Sequence, residues 1–142
     1  MKRLSFLLLA AVLLTGSLVT SKAAVAGEPA RQVAKAVPTE VYYFHLSRRC
    51  TTCQTVEKVS QEAVNEFFAE AVKKGEVTFK AVNLEDKENK ALVKKLKVQG
   101  QSLLIVNGQD QINITDKGFM YAMNEPDKLK AEIKAGVEKF KK

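Results

Sequence analysis

This 142-residue sequence has no tryptophan, a single histidine and only two cysteines. Two cysteines cannot make the multi-bridge framework of a disulfide-stapled mini-protein, and a chain of this length can bury one hydrophobic core without such a framework. A second Cys-x-x-Cys or a histidine pair, which a closed tetrahedral zinc centre would require, is also missing. The basic residues outnumber the acidic ones, 23 to 16. They are nevertheless interleaved with glutamates along helical stretches and lack an accompanying aromatic set, so no nucleic-acid partner is expected.

Strongly apolar sequence is confined to the N-terminus. Met1, Lys2 and Arg3 form a basic start, Leu4 to Leu14 an almost wholly apolar run, and Ala24-Val25-Ala26 an A-x-A cleavage site. Thr15, Gly16, Ser17 and Thr20 interrupt that stretch before it reaches the roughly 20 residues of a membrane-spanning helix. Residues 1–26 are therefore expected to be a secretory signal, with an uncleaved anchor as the alternative. Cleavage would release the chain, without stable membrane insertion, into the periplasm or another extracytoplasmic space. The remaining 116 residues carry 20 basic and 16 acidic side chains, the balance of a solvated globular surface.

Residues 27–39 hold two of the three prolines and no periodicity, and read as an irregular leader to a domain over residues 40–142. Val41 to Leu46 is an aromatic and β-branched run suited to a strand covered on both faces. From about Thr51, Val56, Val59, Ala63, Val64, Phe67, Phe68, Ala71 and Val72 recur at helical spacing opposite Glu62, Glu66 and Glu70, ending at Lys73-Lys74-Gly75. A strand over Val77 to Val82 follows, then a helix over Lys87 to Lys97 with Ala91, Leu92 and Leu96 inward. Asn107-Gly108 is suited to a tight hairpin between strands at Leu103 to Val106 and Gln111 to Thr115. A last helix starts with Asn124 as cap and Pro126 in its first turn, placing Leu129, Ile133, Val137 and Phe140 on one stripe. The expected fold class is α/β: β-α-β-α-β-β-α, a mixed four-stranded sheet with helices on both faces.

Chemistry is concentrated at Cys50-Thr51-Thr52-Cys53, a Cys-x-x-Cys pair directly after a strand and opening a helix. Unpaired N–H groups and the positive end of the helix dipole would stabilise a Cys50 thiolate there, and Cys53, one turn on, is within reach to close a disulfide. Arg48 and Arg49 would add positive charge. Cys50 is thus expected to attack and Cys53 to resolve, cycling between dithiol and disulfide on a protein thiol or disulfide partner, with a membrane-bound electron donor among the candidates. No resident cofactor is expected. The rival reading uses Cys50 and Cys53 as thiolate ligands for Cu(I), Zn(II) or arsenite. His45 reads as a packed or hydrogen-bonded side chain rather than a ligand or proton shuttle, and Met120 and Met123 as core filling rather than copper ligands.

Several segments resemble a known family: Val41 to Leu46, Arg48-Arg49-Cys50-Thr51-Thr52-Cys53, Val98 to Leu104 and Gly118-Phe119-Met120-Tyr121-Ala122 are similar to the thioredoxin-like family labelled nitrophenyl compound nitroreductase subunit ArsF. The similarity runs from about Glu40 to the C-terminus. It implies a thioredoxin-like fold and a subunit, redox-active or non-catalytic, of an electron-transfer or nitro-reducing system. Compared with ordinary thioredoxins, Ser102 stands where a cis-proline would shape the partner groove, a change that favours metal access to the thiols. Arg49 stands at the tryptophan position, and Phe44 at the buried acid that would take a proton from Cys53. Glu57, one turn beyond Cys53, reads as a solvated helix glutamate, with a substitute proton acceptor for Cys53 as the alternative.

Overall fold

The computed structural model describes residues 37–141. The expected signal segment, residues 1–26, and most of the expected leader lie outside the described residues. Four strands, β1 (Thr39–His45), β2 (Val77–Asn83), β3 (Ser102–Asn107) and β4 (Asp110–Asn113), form one sheet in the order β2-β1-β3-β4. β1 pairs parallel with β2 and antiparallel with β3, and β4 closes the far edge antiparallel to β3. The helices are α1 (Thr51–Phe67), α2 (Ala69–Lys73), α3 (Lys90–Lys95, after a 3-10 turn), α4 (Thr115–Tyr121) and α5 (Pro126–Glu138). The molecule is therefore an α/β protein with a mixed four-stranded sheet, as its sequence pattern implies.

β1 is the hub because nearly every side chain on it can be buried. Val41 and Tyr43 point to a large cluster with Val56, Val59, Ala63 and Val64 of α1 and Leu129, Ile133 and Val137 of α5. Tyr42 and Phe44 point the other way, to Val82, Leu104, Val106 and Leu96, with Leu92 packed against them. Helices thus cover both faces. Each fully buried apolar side chain of this size contributes on the order of 1.5–3 kcal/mol, against roughly 0–1 for an exposed ion pair. The two apolar clusters, rather than surface pairs such as Lys80–Glu40, dominate stability.

Several boundaries differ from the sequence expectation. β1 begins at Thr39, which is buried, so the last leader residue belongs to the domain, and Leu46 falls outside the strand and is exposed. The long helix is broken at Phe68, whose φ of −128° and ψ of 25° turn its ring into the core. The Phe68 N–H still donates to Val64 O and the Val72 N–H to Phe68 O, so α2 continues α1 past a bend. α2 stops where lysines and glycine predict. Gly75 has a φ of 70°, its N–H donates to Val72 O, and the Glu76 N–H donates to Ala71 O, a Schellman ending.

The Lys87–Lys97 helix contracts to α3, and Ala91 faces solvent while Leu92 and Val93 share the inward side with Leu96. The hairpin turn is shifted by one residue: Asn107 pairs with Asp110, leaving Gly108-Gln109 as the loop. Only Gly108 of that loop has positive φ, 64°, so glycine is needed at its first position. β4 ends at Asn113, and Thr115, expected in the strand, opens the unforeseen helix α4. The N-cap of α5 is Glu125 without a side-chain capping bond, in place of Asn124, while Pro126 occupies the first turn as expected. α5 approaches β3 closely at Gly136, where a Cβ would overlap Ile105 Cδ1.

Candidate functional site

The two cysteines stand at the mouth of α1, on the end of the sheet where β1 finishes. The loop that delivers them is tied to β2. The Ser47 N–H donates to Glu85 Oε2 (2.7 Å), and Asn83 Nδ2 donates to Ser47 Oγ (2.9 Å). The Ser47 bonds hold the Glu85 carboxyl below the usual carboxylate range. The Leu84 N–H donates to His45 O (2.8 Å), pinning the strand end itself. Arg48 and Arg49 follow, and Cys50 takes the N-cap with an extended backbone, φ −81° and ψ 168°.

Cysteine does at this cap what serine or aspartate commonly does: its sulfur accepts the Cys53 N–H at 3.3 Å. Its carbonyl accepts the Gln54 N–H, the first turn of the helix. No acidic residue lies in that first turn to compete for the N–H groups. Cys50 is exposed and Cys53 buried, 4% accessible, and both are free thiols. The Cys53 side chain and then its backbone N–H, helped by the N–H groups of Cys50 and Thr52, hold the Cys50 thiol below its ordinary range. Burial first, and then the Cys50 sulfur, push the Cys53 thiol up. The pair is chemically asymmetric in the direction the sequence implies.

The arginines do something different from what the sequence suggests. Arg49 is paired with Glu57, both partly buried, so neither is a free solvated charge. The Cys53 side chain, and then helix-end N–H groups, lower the Cys50 thiol, with no arginine among the causes. Arg48 is exposed. Because a neutralised pair exerts little net field, replacing both members, Arg49→Ala with Glu57→Ala, should leave the pH midpoint of Cys50 alkylation at its wild-type position. A move to higher pH would show that Arg49 acts on the thiol. A lowered thiol pKa places the wild-type midpoint below that of an unperturbed cysteine, because thiolate then persists to lower pH.

Phe44 does not occupy the ground beside the thiols. It is directed into the second cluster, and the β1 side chain under α1 is Tyr43, on which Cys53 and Cys50 both act. In a run with an apolar or aromatic residue at every position, nothing marks which alternate set meets the cysteine helix, and Tyr43 was missed for that reason. Ser102 pairs with Phe44 and shares its face of the sheet, and its hydroxyl donates to Gly100 O (2.9 Å). No cis peptide bond occurs among the described residues.

His45 Nδ1 donates to the neighbouring Leu46 carbonyl (3.0 Å), a local bond in keeping with the expected hydrogen-bonded role. Met120 and Met123, expected in the core, are instead 62% and 49% exposed, Met120 on the outer side of α4 and Met123 in the turn after it. Gly118 is the α4 residue packed inward, against Leu103 and Val56. Among the described residues no three His, Cys, Asp or Glu side chains gather as a metal-holding group. No helix among them is long and apolar enough to cross a membrane.

Fold and site together define an α/β domain that presents an exposed, acidified thiol and a buried second thiol at one helix end. No protein-family model matches the chain, and no curated protein matches it.

Proposed function

We propose that this chain is an exported thiol-disulfide oxidoreductase or electron-relay subunit of the thioredoxin-like kind, acting on a protein partner through Cys50 and Cys53. The observation that carries the reading is the cap geometry: an exposed sulfur accepting the Cys53 N–H, with a buried thiol one turn behind it. The sheet order, with a central first strand leading into the cysteine helix, is consistent with a thioredoxin-like domain. The resemblance of Arg48 to Cys53 and Gly118 to Ala122 to the ArsF-labelled family adds a subunit role in an electron-transfer system. The basic, apolar and A-x-A pattern of residues 1–26 supports export.

The exchange proceeds in two displacements. The Cys50 thiolate attacks one sulfur of the partner disulfide, forming a mixed disulfide and releasing the partner's other sulfur as a thiolate, which takes up the Cys53 proton. The Cys53 thiolate then attacks Cys50 Sγ, closing the intramolecular disulfide and releasing the second partner sulfur. Two electrons pass from the protein to the partner, and the same steps in reverse oxidise a partner dithiol. The burial of Cys53 protects it from capture by other disulfides while leaving Cys50 open to attack.

The test is capture. Cys53→Ser removes the resolving thiol and keeps Cys50, together with the residue-53 N–H that its sulfur accepts, so mixed disulfides with the natural partner should accumulate on Cys50 and disappear on reduction. Non-reducing electrophoresis and mass spectrometry would identify them. Absence of any Cys50-linked species in extracytoplasmic extracts, with the folded variant present, would sink the reading.

A further inference from the structure

Tyr43 is a buried polar group on the face of β1 that α1 covers, the helix whose buried side carries Cys53 and Val56, and the exchange steps have no task for it. Its side chain is 0% exposed, and its hydroxyl has no hydrogen-bond partner. Phenylalanine would fill the same apolar space without burying an unpaired O–H, so packing alone does not account for tyrosine here. The ring lies in the cluster beneath α1 with Val56, one turn beyond Cys53. Among the groups that act on its ionisation, the Cys53 and Cys50 thiols come before the Glu57 carboxylate. The cross-strand neighbours, Ala81 on β2 and Leu103 on β3, carry no ionisable group. Along β1, the His45 ring centroid is 6.0 Å from that of Tyr43, and from the following loop Arg49 is engaged by Glu57. From α4, Gly118 brings backbone to Leu103 and Val56, and Tyr121, a second phenol, packs partly buried against the same cluster.

We propose that the Tyr43 phenol donates a hydrogen bond to the Cys53 sulfur when that sulfur becomes a thiolate, and so sets how fast the Cys50–Cys53 disulfide closes. In the dithiol form the hydroxyl has no well-formed partner, although the Cys53 side chain is near enough to act on the phenol as a hydrogen-bonding group; a neutral thiol is only a weak acceptor. A thiolate is a much stronger one. Burial, with the thiols adding to it, raises the Tyr43 pKa far above the ordinary phenol range, so the phenol keeps its proton and acts as donor only. The closing step remains balanced without it. The Cys53 proton goes to the first released partner thiolate, the new S–S bond forms from the Cys53 lone pair, and the Cys50–partner S–S bond breaks onto the partner sulfur. Tyr43 lowers the cost of the charged intermediate in a place where burial otherwise opposes it.

The step rests on the oxidoreductase reading, but the contact does not, and the experiment separates them. In the full chain carrying Cys50→Ser, Cys53 is the sole thiol, and its alkylation rate against pH is measured with and without Tyr43→Phe. In the chain with both cysteines, glutathione disulfide is added and release of the second glutathione is followed with and without the same change. Tyr43→Phe should slow Cys53 alkylation and glutathione release about tenfold near neutral pH, the weight of one hydrogen bond to a charged group, and displace both profiles to higher pH. Cys50 alkylation should not change, which a merely structural role would not predict. An unchanged Cys53 profile overturns the Tyr43 contact whatever becomes of the oxidoreductase reading. A wild-type chain that never closes its disulfide overturns that reading, while Cys53 alkylation still decides the contact. Should Tyr43→Phe fail to fold, a ring-fluorinated tyrosine at position 43, a more acidic donor, should speed closure, and no acceleration would overturn the proposal.

Discussion

Cys50→Ser is expected to lower disulfide exchange by about three orders of magnitude or more, the scale on which loss of a covalent nucleophile is felt. A serine hydroxyl is un-ionised near neutral pH and forms no disulfide, and Cys53 cannot take over because it is buried beneath the helix. The cap itself should survive: serine is a favoured N-cap, so its oxygen can accept the Cys53 N–H that the sulfur now accepts. Loss of exchange would therefore be chemical rather than a consequence of unfolding. Turnover of a fluorescent disulfide, with far-ultraviolet circular dichroism as control, measures both. Retention of exchange by Cys50→Ser together with its loss in Cys53→Ser would reverse the assignment of roles.

The largest effect on stability is expected at the back of the same strand. Phe44 is fully buried in the smaller cluster, stacked on Tyr42 with ring centroids 5.7 Å apart and surrounded by Val82, Leu96 and Leu104. Phe44→Ala should cost about 3–5 kcal/mol, the transfer and cavity terms together. That is a large share of the roughly 5–15 kcal/mol that holds a domain of this size folded. Urea unfolding of the reduced protein would measure it, and a loss below about 1 kcal/mol would refute the packing described. In folded Phe44→Ala, Cys50 alkylation should keep its wild-type pH midpoint, because Phe44 and the thiols lie on opposite faces of the sheet.

The adjacent pair Tyr43 and Phe44 also marks where sequence ceases to be enough. The run from Val41 to Phe44 identified a strand buried on both sides, and the cysteine spacing identified a helix end, because both signals are local. Which alternate set of β1 residues meets α1 depends on how the helix crosses the sheet, and a run that is apolar at every position carries no mark of it. α4 was hidden for a related reason: seven residues with Gly118 among them are too few for a helical period to stand out. Met120 on that helix and Met123 in the turn after it face outward with it. The bend at Phe68 has neither proline nor glycine to announce it and arises because the ring is drawn inward from the helix line. Arg49 and Glu57 are eight positions apart, beyond the reach of helix-pair rules, so their neutralisation emerges only when the loop folds back on α1.

The strand order has a consequence for how the molecule is made. The strand synthesised first lies in the middle of the sheet, and one of its two pairings, Thr39 with Asn107, spans most of the domain. A chain emerging N-terminus first, from a ribosome or through a translocation channel, cannot complete that sheet until β3 and β4, which end at Asn113, have appeared. Such delayed closure makes folding slow relative to a helical bundle, and it keeps the polypeptide threadable for as long as its last third is still inside.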